Sequence, residues 1–392
     1  MKDSLYLAWR YLCFHWGKTA TMIAAITLVL FVPAGLQVLV RQGAEQLNAR
    51  AEATPLVIGA RGSKIELVLS ALYFDTEPAA VVTMSETHRV RKTGLARAIP
   101  IHNRFRARTF PVVGTTLDYF AFRRLRIAGG RQIAMLGECV LGAKVASQLN
   151  LGPGGAIKST AQDPFNLAGN YPLKMRVVGV LETTDGPDDA AVFVDLKTAW
   201  VMEGLGHGHQ DLTAAAAADG VLRRTEQNVT ANAAVREFTE ITAENIDSFH
   251  FHGDLETFPV TVVIALPRDE KSGTLLRGHY QAEEDPAQFV VPTNVIDQLL
   301  ATILSVRTMI MAAAAVVGAA TLLIVVLVFV LSVRLRKGEI ETMHRLGCSR
   351  CTIVSILFAE IGVVAVFAVA IAGGLAFLTS QFAATAIRWF IL

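Results

Sequence analysis

The chain has 392 residues, of which 52% are hydrophobic and 18% charged, and its mean hydropathy is +0.43. A soluble enzyme usually carries about 25% charged residues, so this composition excludes an ordinary soluble enzyme and indicates an integral membrane protein. The net charge of +2 says little about partners, and no long basic run suggests nucleic acid.

The first 18 residues are predicted to form an amphipathic helix at the cytoplasmic face of the membrane. Basic residues separate apolar ones that recur at helical spacing, namely Leu5, Ala8, Trp9, Leu12 and Trp16. Two tryptophans in such a stripe are typical of a helix that lies in the interface. The alternative is an unstructured basic tail.

Residues 19–40 are predicted to form the first transmembrane helix, because 22–40 contains no ionisable side chain and about 20 apolar residues cross a bilayer. The sequence Ala49-Arg50-Ala51 resembles a signal-peptide cleavage site. The apolar run is longer than the about 7–15 residues of a signal peptide, so an uncleaved anchor is favoured.

Residues 41–297 are predicted to form one extracytoplasmic α+β domain, in which 201–257 is a looser insert. Strand patterns recur along this region, at 109–116, 174–181, 190–196 and 258–266. Residues 65–74 are equally compatible with a buried helix or a strand. A strand end and a short helix are expected within 137–155, and strands that alternate with helices indicate the mixed fold class.

The last part of the chain is predicted to cross the membrane twice more. The expected segments are a stalk with the second transmembrane helix at 298–333, a short cytoplasmic helix at 334–352, the third transmembrane helix at 353–379 and an extracytoplasmic tail at 380–392. The helical pattern begins at Thr293 and covers about 40 residues, or about 60 Å. This length is twice what a bilayer requires, so we expect the helix to project outward.

Positive charges near the spans set the orientation. They precede the first span, at Lys2, Arg10 and Lys18, and they lie in the segment after the second, at Arg334, Arg336, Lys337, Arg345 and Arg350. Both segments are therefore expected in the cytoplasm. Cys139 is the only cysteine between the first two spans, so no intramolecular disulfide is expected in the exported domain.

No catalytic or nucleotide-binding motif is recognisable. The segment at 15–19 ends like a phosphate-binding loop, but position 12, which should be glycine, is Leu12. The chain has neither a G-x-S-x-G nor an H-E-x-x-H motif. Glu360 is the main charged residue within the spans, and a proton or ion relay needs more such groups. We therefore expect neither an enzyme nor a secondary transporter.

Metal binding is only weakly indicated. Possible ligand pairs are His207 with His209, His250 with His252, and Cys348 with Cys351. Alternate histidines can chelate from one face of a strand, but no carboxylate accompanies them at a known spacing. Surface histidines in the insert are favoured, and neither a metal nor a cofactor is expected in this chain.

The charged segment between the second and third spans is the most informative feature. If it is helical, one stripe contains Ile340, Met343, Leu346 and Gly347, while Glu341 and Arg345 form an i,i+4 pair on another face. Such a helix could dock on a cytoplasmic partner. An ordinary loop that only sets topology fits the residues equally well.

This segment resembles the signature of the FtsX/MacB/LolC-type ABC permeases, which belong to the type VII, mechanotransmission class. The matching residues are Lys337, Glu339, Ile340, Arg345, Leu346, Gly347 and Ser349. Cys348 stands where that family usually has a small residue. The segments "ECVLGAKVASQLNLGPGGAIK" and "VVGVLETTDGPDDAAVFVDLKTAW" are similar to the family's exported core.

The resemblance implies a non-catalytic permease subunit in a bacterial inner membrane, with a MacB-like periplasmic core domain. Its partners would be a separate cytoplasmic ABC ATPase that binds ATP and Mg²⁺, and a second permease in a homodimer or heterodimer. Membrane lipids and a periplasmic adaptor or substrate protein are further expected partners. The segment 334–352, including Met343, would be the coupling helix. The family usually has a fourth span, which this sequence does not show.

The resemblance implies that the transporter exports or extracts a lipoprotein, peptide or lipid, or controls a periplasmic partner. A function from a different class is a membrane-anchored sensor or ligand-binding protein without ATPase coupling. Such sensors usually continue into a long cytoplasmic domain, whereas about 20 residues are expected in the cytoplasm here between the second and third spans.

Overall fold

The computed structural model describes residues 2–76, 80–160, 172–208, 221–224, 229–231, 238–281 and 285–391. The chain separates into two compact units. We call Met1–Asn48 with Gln298–Leu392 the membrane unit, and Ala49–Asp297 the sheet unit.

The chain begins with helices α1 (Lys2–Phe14) and α2 (Trp16–Glu52). The predicted helix at 1–18 therefore ends earlier, and Trp16 belongs to α2. The Thr19 hydroxyl lies 3.0 Å from the Leu12 carbonyl and 3.1 Å from the His15 carbonyl and donates to them. A hydroxyl that bonds to helical carbonyls bends the helix, which accounts for the break at His15.

The sheet unit follows, with strands and helices in alternation. Its strands are β1 (Leu56–Ala60), β2 (Val82–Thr83), β3 (Ala96–Ala107), β4 (Phe110–Thr115), β5 (Ile127–Gly130), β6 (Glu138–Leu141), β7 (Ala156–Lys158), β8 (Lys174–Leu181), β9 (Val192–Asp195), β10 (Gly206–His207), β11 (Val221–Arg224), β12 (Val229–Ala231), β13 (His250–Phe251), β14 (Pro259–Val260), β15 (Val262–Pro267) and β16 (Ala287–Val290). Its helices are α3 (Lys64–Tyr73), α4 (Met84–Thr93), α5 (Leu117–Arg123), α6 (Ala143–Leu149), α7 (Leu196–Met202) and α8 (Glu270–Gly278).

Ten of these strands form one mixed sheet within the described residues. Nine follow the order β16-β1-β15-β3-β4-β9-β6-β8-β5, and β7 pairs with β8. The pairs β4–β9 and β6–β8 are parallel and the others are antiparallel. Together with the helices between the strands, this sheet confirms the predicted α+β class.

The strands predicted from alternation are present. The pattern at 174–181 coincides with β8, and those at 109–116 and 190–196 contain β4 and β9. The pattern at 258–266 is divided between β14 and β15. The ambiguous segment at 65–74 is helix α3, because Ser63 accepts a hydrogen bond from the backbone N–H of Glu66 and so caps its first turn.

The chain ends with helices α9 (Pro292–Leu335), α10 (Lys337–Arg345) and α11 (Arg350–Ile391). Within the part of the chain that the structure describes, three helices are long and apolar enough to cross a membrane, over Trp16–Glu52, Thr308–Leu335 and Arg350–Phe382. The third transmembrane helix was expected to end at 379, and α11 itself continues to Ile391. No proline interrupts that segment, so the backbone hydrogen bonds of the helix can continue.

In the membrane unit, α1 packs against α11. The rings of Trp9 and Phe367 stack with centroids 5.8 Å apart, and Ala8 is fully buried. Leu12 belongs to an apolar cluster with Met22 and Val364. The apolar stripe of α1, predicted to lie in the lipid interface, thus packs in part on another helix of the chain.

Candidate coupling site

The predicted coupling segment consists of α10 and the turn after it. Most of its predicted residues are exposed, namely Lys337, Glu339, Arg345, Leu346, Gly347 and Ser349. Leu346 is 81% exposed. Its side chain is an apolar group available to a partner.

The predicted apolar stripe of α10 is only partly exposed. Ile340 and Met343 are half-buried, and α10 contacts α11. The side of the helix that carries these two residues is thus partly covered within the chain, while Leu346 is exposed. Charged side chains and Leu346 therefore dominate the accessible face.

Glu341 and Arg345 form the expected i,i+4 pair. The guanidinium of Arg345 donates to the Glu341 carboxylate at 2.9 Å, and the two side chains are 59% and 77% exposed. An exposed pair of this kind contributes about 0.3–0.5 kcal/mol to the helix. Replacing Arg345 therefore changes the surface charge far more than the stability.

Arg336 fixes the beginning of α10. Its guanidinium donates to Glu360 Oε1 at 2.8 Å and to Glu339 Oε2 at 3.1 Å, and it lies 3.5 Å from the centre of the Tyr11 ring. The side chains of Arg336 and Glu360 are 10% and 4% exposed. Because a buried charge without a partner is strongly destabilising, this pair constrains where α10 can lie.

Helices α1, α2, α9 and α11 meet at Arg336. The Nζ of Lys18 on α2 donates to the hydroxyl of Ser332 on α9. The hydroxyl of Tyr11 on α1 lies 3.4 Å from that same Ser332 oxygen. We call Tyr11, Lys18, Ser332, Arg336 and Glu360 the junction cluster.

The turn after α10 explains two residues of the family signature. Gly347 has a φ of +94°, a backbone conformation that favours glycine. Its N–H donates to the carbonyl of His344, and the N–H of Cys348 donates to that of Met343. These bonds form a Schellman motif, which ends α10.

Ser349 then starts the next helix. Its hydroxyl accepts a hydrogen bond from the backbone N–H of Thr352 at 3.2 Å, as an N-cap residue does. Gly347 and Ser349 thus end one helix and begin another within three residues. Their spacing is required by this tight connection, whether or not a partner docks beside it.

In the sequence, Arg336 indicated only the membrane orientation, and nothing indicated that Tyr11 would contact it. Arg336 lies three residues before Glu339, a spacing that places two side chains on one helix face. Glu360 was recognised as a charge within the third span. A charge in a span usually has a partner, and that rule could have paired the two residues.

In the sheet unit, the last turn of α2 is anchored by Arg50. Its guanidinium nitrogens lie 2.7 and 3.1 Å from the two Asp188 oxygens, 3.1 Å from the Tyr119 hydroxyl and 2.5 Å from the Leu72 carbonyl. Tyr119 also donates to Asp188 at 2.7 Å. Three side chains remote in sequence form this network, and no local pattern predicts it.

The electrostatics of the anchor favour an ionised Asp188. Burial by itself would raise the pKa of this carboxyl, but the charge and hydrogen bonds of Arg50 and the Tyr119 hydroxyl lower the pKa below its usual value. Burial also raises the pKa of Tyr119. At neutral pH, the anchor is therefore an ion pair supported by a neutral phenol.

The potential metal ligands fall into two groups. Cys348 is in the turn after α10 and Cys351 is in the first turn of α11, and both thiols are free. His207, His250 and His252 lie close together, whereas His209 is outside the described residues. The sequence offered His207 with His209 and His250 with His252 as possible pairs and favoured surface histidines without a metal, whereas the structure brings His207 beside both His250 and His252.

Comparison with known families identifies the class. Residues 22–241 match the family described as the MacB-like periplasmic core domain, and this match covers more than half of the 392-residue chain. The chain belongs to this family and is an ABC transporter permease of the FtsX/MacB type. In this family the ATPase is a separate subunit.

Two solved structures show low similarity to the chain. The periplasmic region of MacB from Actinobacillus actinomycetemcomitans is 12% identical, with a TM-score of 0.33, over 64% of this chain and 97% of that one. The extracellular domain of the ABC-type transporter YknZ from Gram-positive bacteria is 12% identical, with a TM-score of 0.31, over 60% and 98%. No curated protein matches the chain. The assignment rests on the family match.

Proposed function

We propose that this chain couples ATP hydrolysis by a separate cytoplasmic ATPase to conformational change in its sheet unit. The junction cluster is the observation that carries the proposal. It holds α10, whose charged face and Leu346 are exposed, by a buried ion pair from Arg336 to Glu360 on α11. A force applied to α10 would therefore reach the long helices.

Two continuous helices could carry that motion further. Helix α9 has 44 residues, or about 66 Å, without an internal break. Helix α2 has 37 residues, and its last turn carries Arg50, which is paired with the buried Asp188. Stiff helices with fixed ends transmit displacement better than loops, which absorb it.

In this proposal the chain itself is not an enzyme and binds no ATP. ATP and Mg²⁺ belong to the partner ATPase, and the permease dimerises in an inner membrane with the sheet unit in the periplasm. The residues that would contact the ATPase are the exposed ones at 337–349, with Arg345 and Leu346 central. The coupled work is export or extraction of a lipoprotein, peptide or lipid, or control of a periplasmic partner.

Co-purification distinguishes a coupled permease from a sensor. The full chain, tagged at one terminus, is co-expressed with an ABC ATPase subunit from the same organism and extracted in mild detergent. We expect the ATPase to elute with the chain in a constant ratio. A sensor without ATPase coupling would elute alone, and that result would contradict the proposal.

A further inference from the structure

Three histidines come together on one short ladder of the sheet unit. Strands β10 and β13 are antiparallel, with His207 opposite His250, and His252 follows two residues later. The ring centroid of His207 lies 4.9 Å from those of His250 and His252, which are 4.7 Å apart from each other. One ligand nitrogen from each ring lies within 4.8 Å of the others.

These distances suit three ligands of one metal ion. In a tetrahedral site with Zn–N bonds of about 2.0–2.1 Å, the centroids of coordinating imidazoles lie about 5 Å apart. The observed separations approach this value on all three sides of the triangle. Small side-chain rotations would bring the nitrogens to bonding distance.

The local strand pattern separates the histidines from the core. Phe249 and Phe251 alternate with His250 and His252, so the two sets project to opposite faces. Both phenylalanines pack against the apolar core clusters. His250 and His252 are exposed and His207 is half-exposed, so all three rings are accessible to an ion.

Glycines on either side of His207 make this packing possible. A Cβ at Gly206 would lie 2.6 Å from the Phe251 ring, and one at Gly208 would lie 2.5 Å from the Phe249 ring. No side chain fits at such distances, so the rings lie directly on the glycine backbone. The packed rings hold the ladder in place with its histidine face outward.

The backbone also orients individual imidazoles. The Nδ1 of His250 lies 3.0 Å from the carbonyl oxygen of Ser248, so in the neutral ring Nδ1 is the donor and Nε2 carries the lone pair. Metal-binding histidines commonly donate their second nitrogen to a carbonyl in this way. The N–H of His252 donates to the carbonyl of Leu205 at 3.1 Å, which fixes its position beside β10.

We propose that His207, His250 and His252 bind one divalent transition-metal ion, for which Zn²⁺ is the best match. Neutral imidazoles suit Zn²⁺, whereas Mg²⁺ and Ca²⁺ prefer oxygen ligands. The three rings supply three positions and leave a fourth for water or another group. Because His207 lies on β10 and His250 lies on β13, the ion would cross-link these two strands.

The test uses the full chain, purified in detergent without a histidine tag and stripped of metal with a chelator. Zn²⁺ is titrated by calorimetry into the wild type and into His250→Ala, His252→Ala and His279→Ala. His279 is exposed and lies outside the cluster, so its variant controls for general histidine loss. We expect one ion per chain in the wild type and in His279→Ala, and affinity at least about tenfold lower in the other two variants.

A second measurement keeps the test independent of folding defects. Zn²⁺ should raise the thermal unfolding midpoint of the wild type and of His279→Ala, but not that of His250→Ala or His252→Ala. An excess of Mg²⁺ should not displace the ion. The proposal is overturned if His250→Ala and His252→Ala bind Zn²⁺ like the wild type, or if Mg²⁺ displaces the ion.

Discussion

Arg336 is the side chain on which the position of α10 depends most. It is buried, and it holds one exposed and one buried carboxylate. The two contacts contribute differently to the stability of the fold. The exposed pair with Glu339 contributes little, whereas the buried charge of Arg336 needs Glu360 as its partner. This difference can be measured with two matched variants.

We expect Glu360→Gln to destabilise the chain by about 2–3 kcal/mol, since Arg336 loses its buried anion. Glu339→Gln removes an equivalent carboxylate whose side chain is 62% exposed, and it should cost less than about 1 kcal/mol. Both are compared by thermal unfolding in detergent. Equal effects of the two variants would show that the buried pair has no special role.

In the sheet unit, Asp188 is the buried anion that pairs with Arg50, as Glu360 pairs with Arg336 in the membrane unit. We expect Asp188→Asn to cost about 3–5 kcal/mol, because Arg50 is left buried without an anion. Asp75→Asn is the control, since its pair with Arg106 has side chains 76% and 46% exposed and contributes about 0–1 kcal/mol. Urea unfolding of the full chain measures both, and equal losses of stability would contradict the anchoring role of Asp188.

The carboxyl of Asp188 also makes the stability of the fold depend on pH. Its pKa is lower in the folded chain than the usual value of about 3.9. The stability it contributes is therefore fully present above about pH 4 and is lost as the pH falls through the folded pKa. Asp188→Asn should remove this part of the acid sensitivity, and an unchanged acid profile would count against the ion pair.

Gly347 determines how α10 connects to α11. Gly347→Ala should destabilise the chain by about 1–2 kcal/mol, because its positive φ disfavours a side chain. Gly338 lies inside α10, where an added Cβ would meet no other atom within 4 Å, so Gly338→Ala should stabilise by about 0.5–1 kcal/mol. Unfolding midpoints should move in opposite directions, and a shift of the same sign would contradict the assigned turn.

The sequence predicts these elements unevenly. The alternating pattern at 174–181 gave β8 with its bounds, because Met175, Val177 and Leu181 on one face are buried, whereas Lys174 and Arg176 on the other are not. Strand β3 was not anticipated, since His102 and Asn103 are polar and yet buried. Asn103 is satisfied by hydrogen bonds from its amide to the Ser70 carbonyl and hydroxyl, and such a distant partner cannot be inferred from local periodicity.

The sequence indicated the segment of the candidate coupling site, but it did not indicate the helix packing that holds this segment in place. The charged segment between two apolar ones predicts residues 337–349 as the coupling site, and that role stays a prediction. The half-burial of Ile340 and Met343, and the contact of Tyr11 with Arg336, depend on helix packing. The three-histidine cluster likewise depends on strand pairing between residues more than 40 positions apart in the chain.

The molecule as a whole combines a membrane unit and a MacB-like sheet unit, each with a buried ion pair. Arg336 with Glu360 ties α10 to α11 in the membrane unit, and Arg50 with Asp188 anchors α2 in the sheet unit. Helices α2 and α9 each contribute residues to both units. In the proposed function, these contacts help to transmit the motion of the partner ATPase to the sheet unit.

The most direct test of that claim is the ATPase rate of the reconstituted complex. The double variant Arg345→Glu with Leu346→Glu changes two exposed side chains and leaves the junction cluster intact. Lys64→Glu is the control, an exposed charge reversal in the sheet unit. We expect the control complex to hydrolyse ATP like the wild type, and the double variant to show only the rate of the isolated ATPase. A double variant that matches the wild-type complex would contradict coupling through α10.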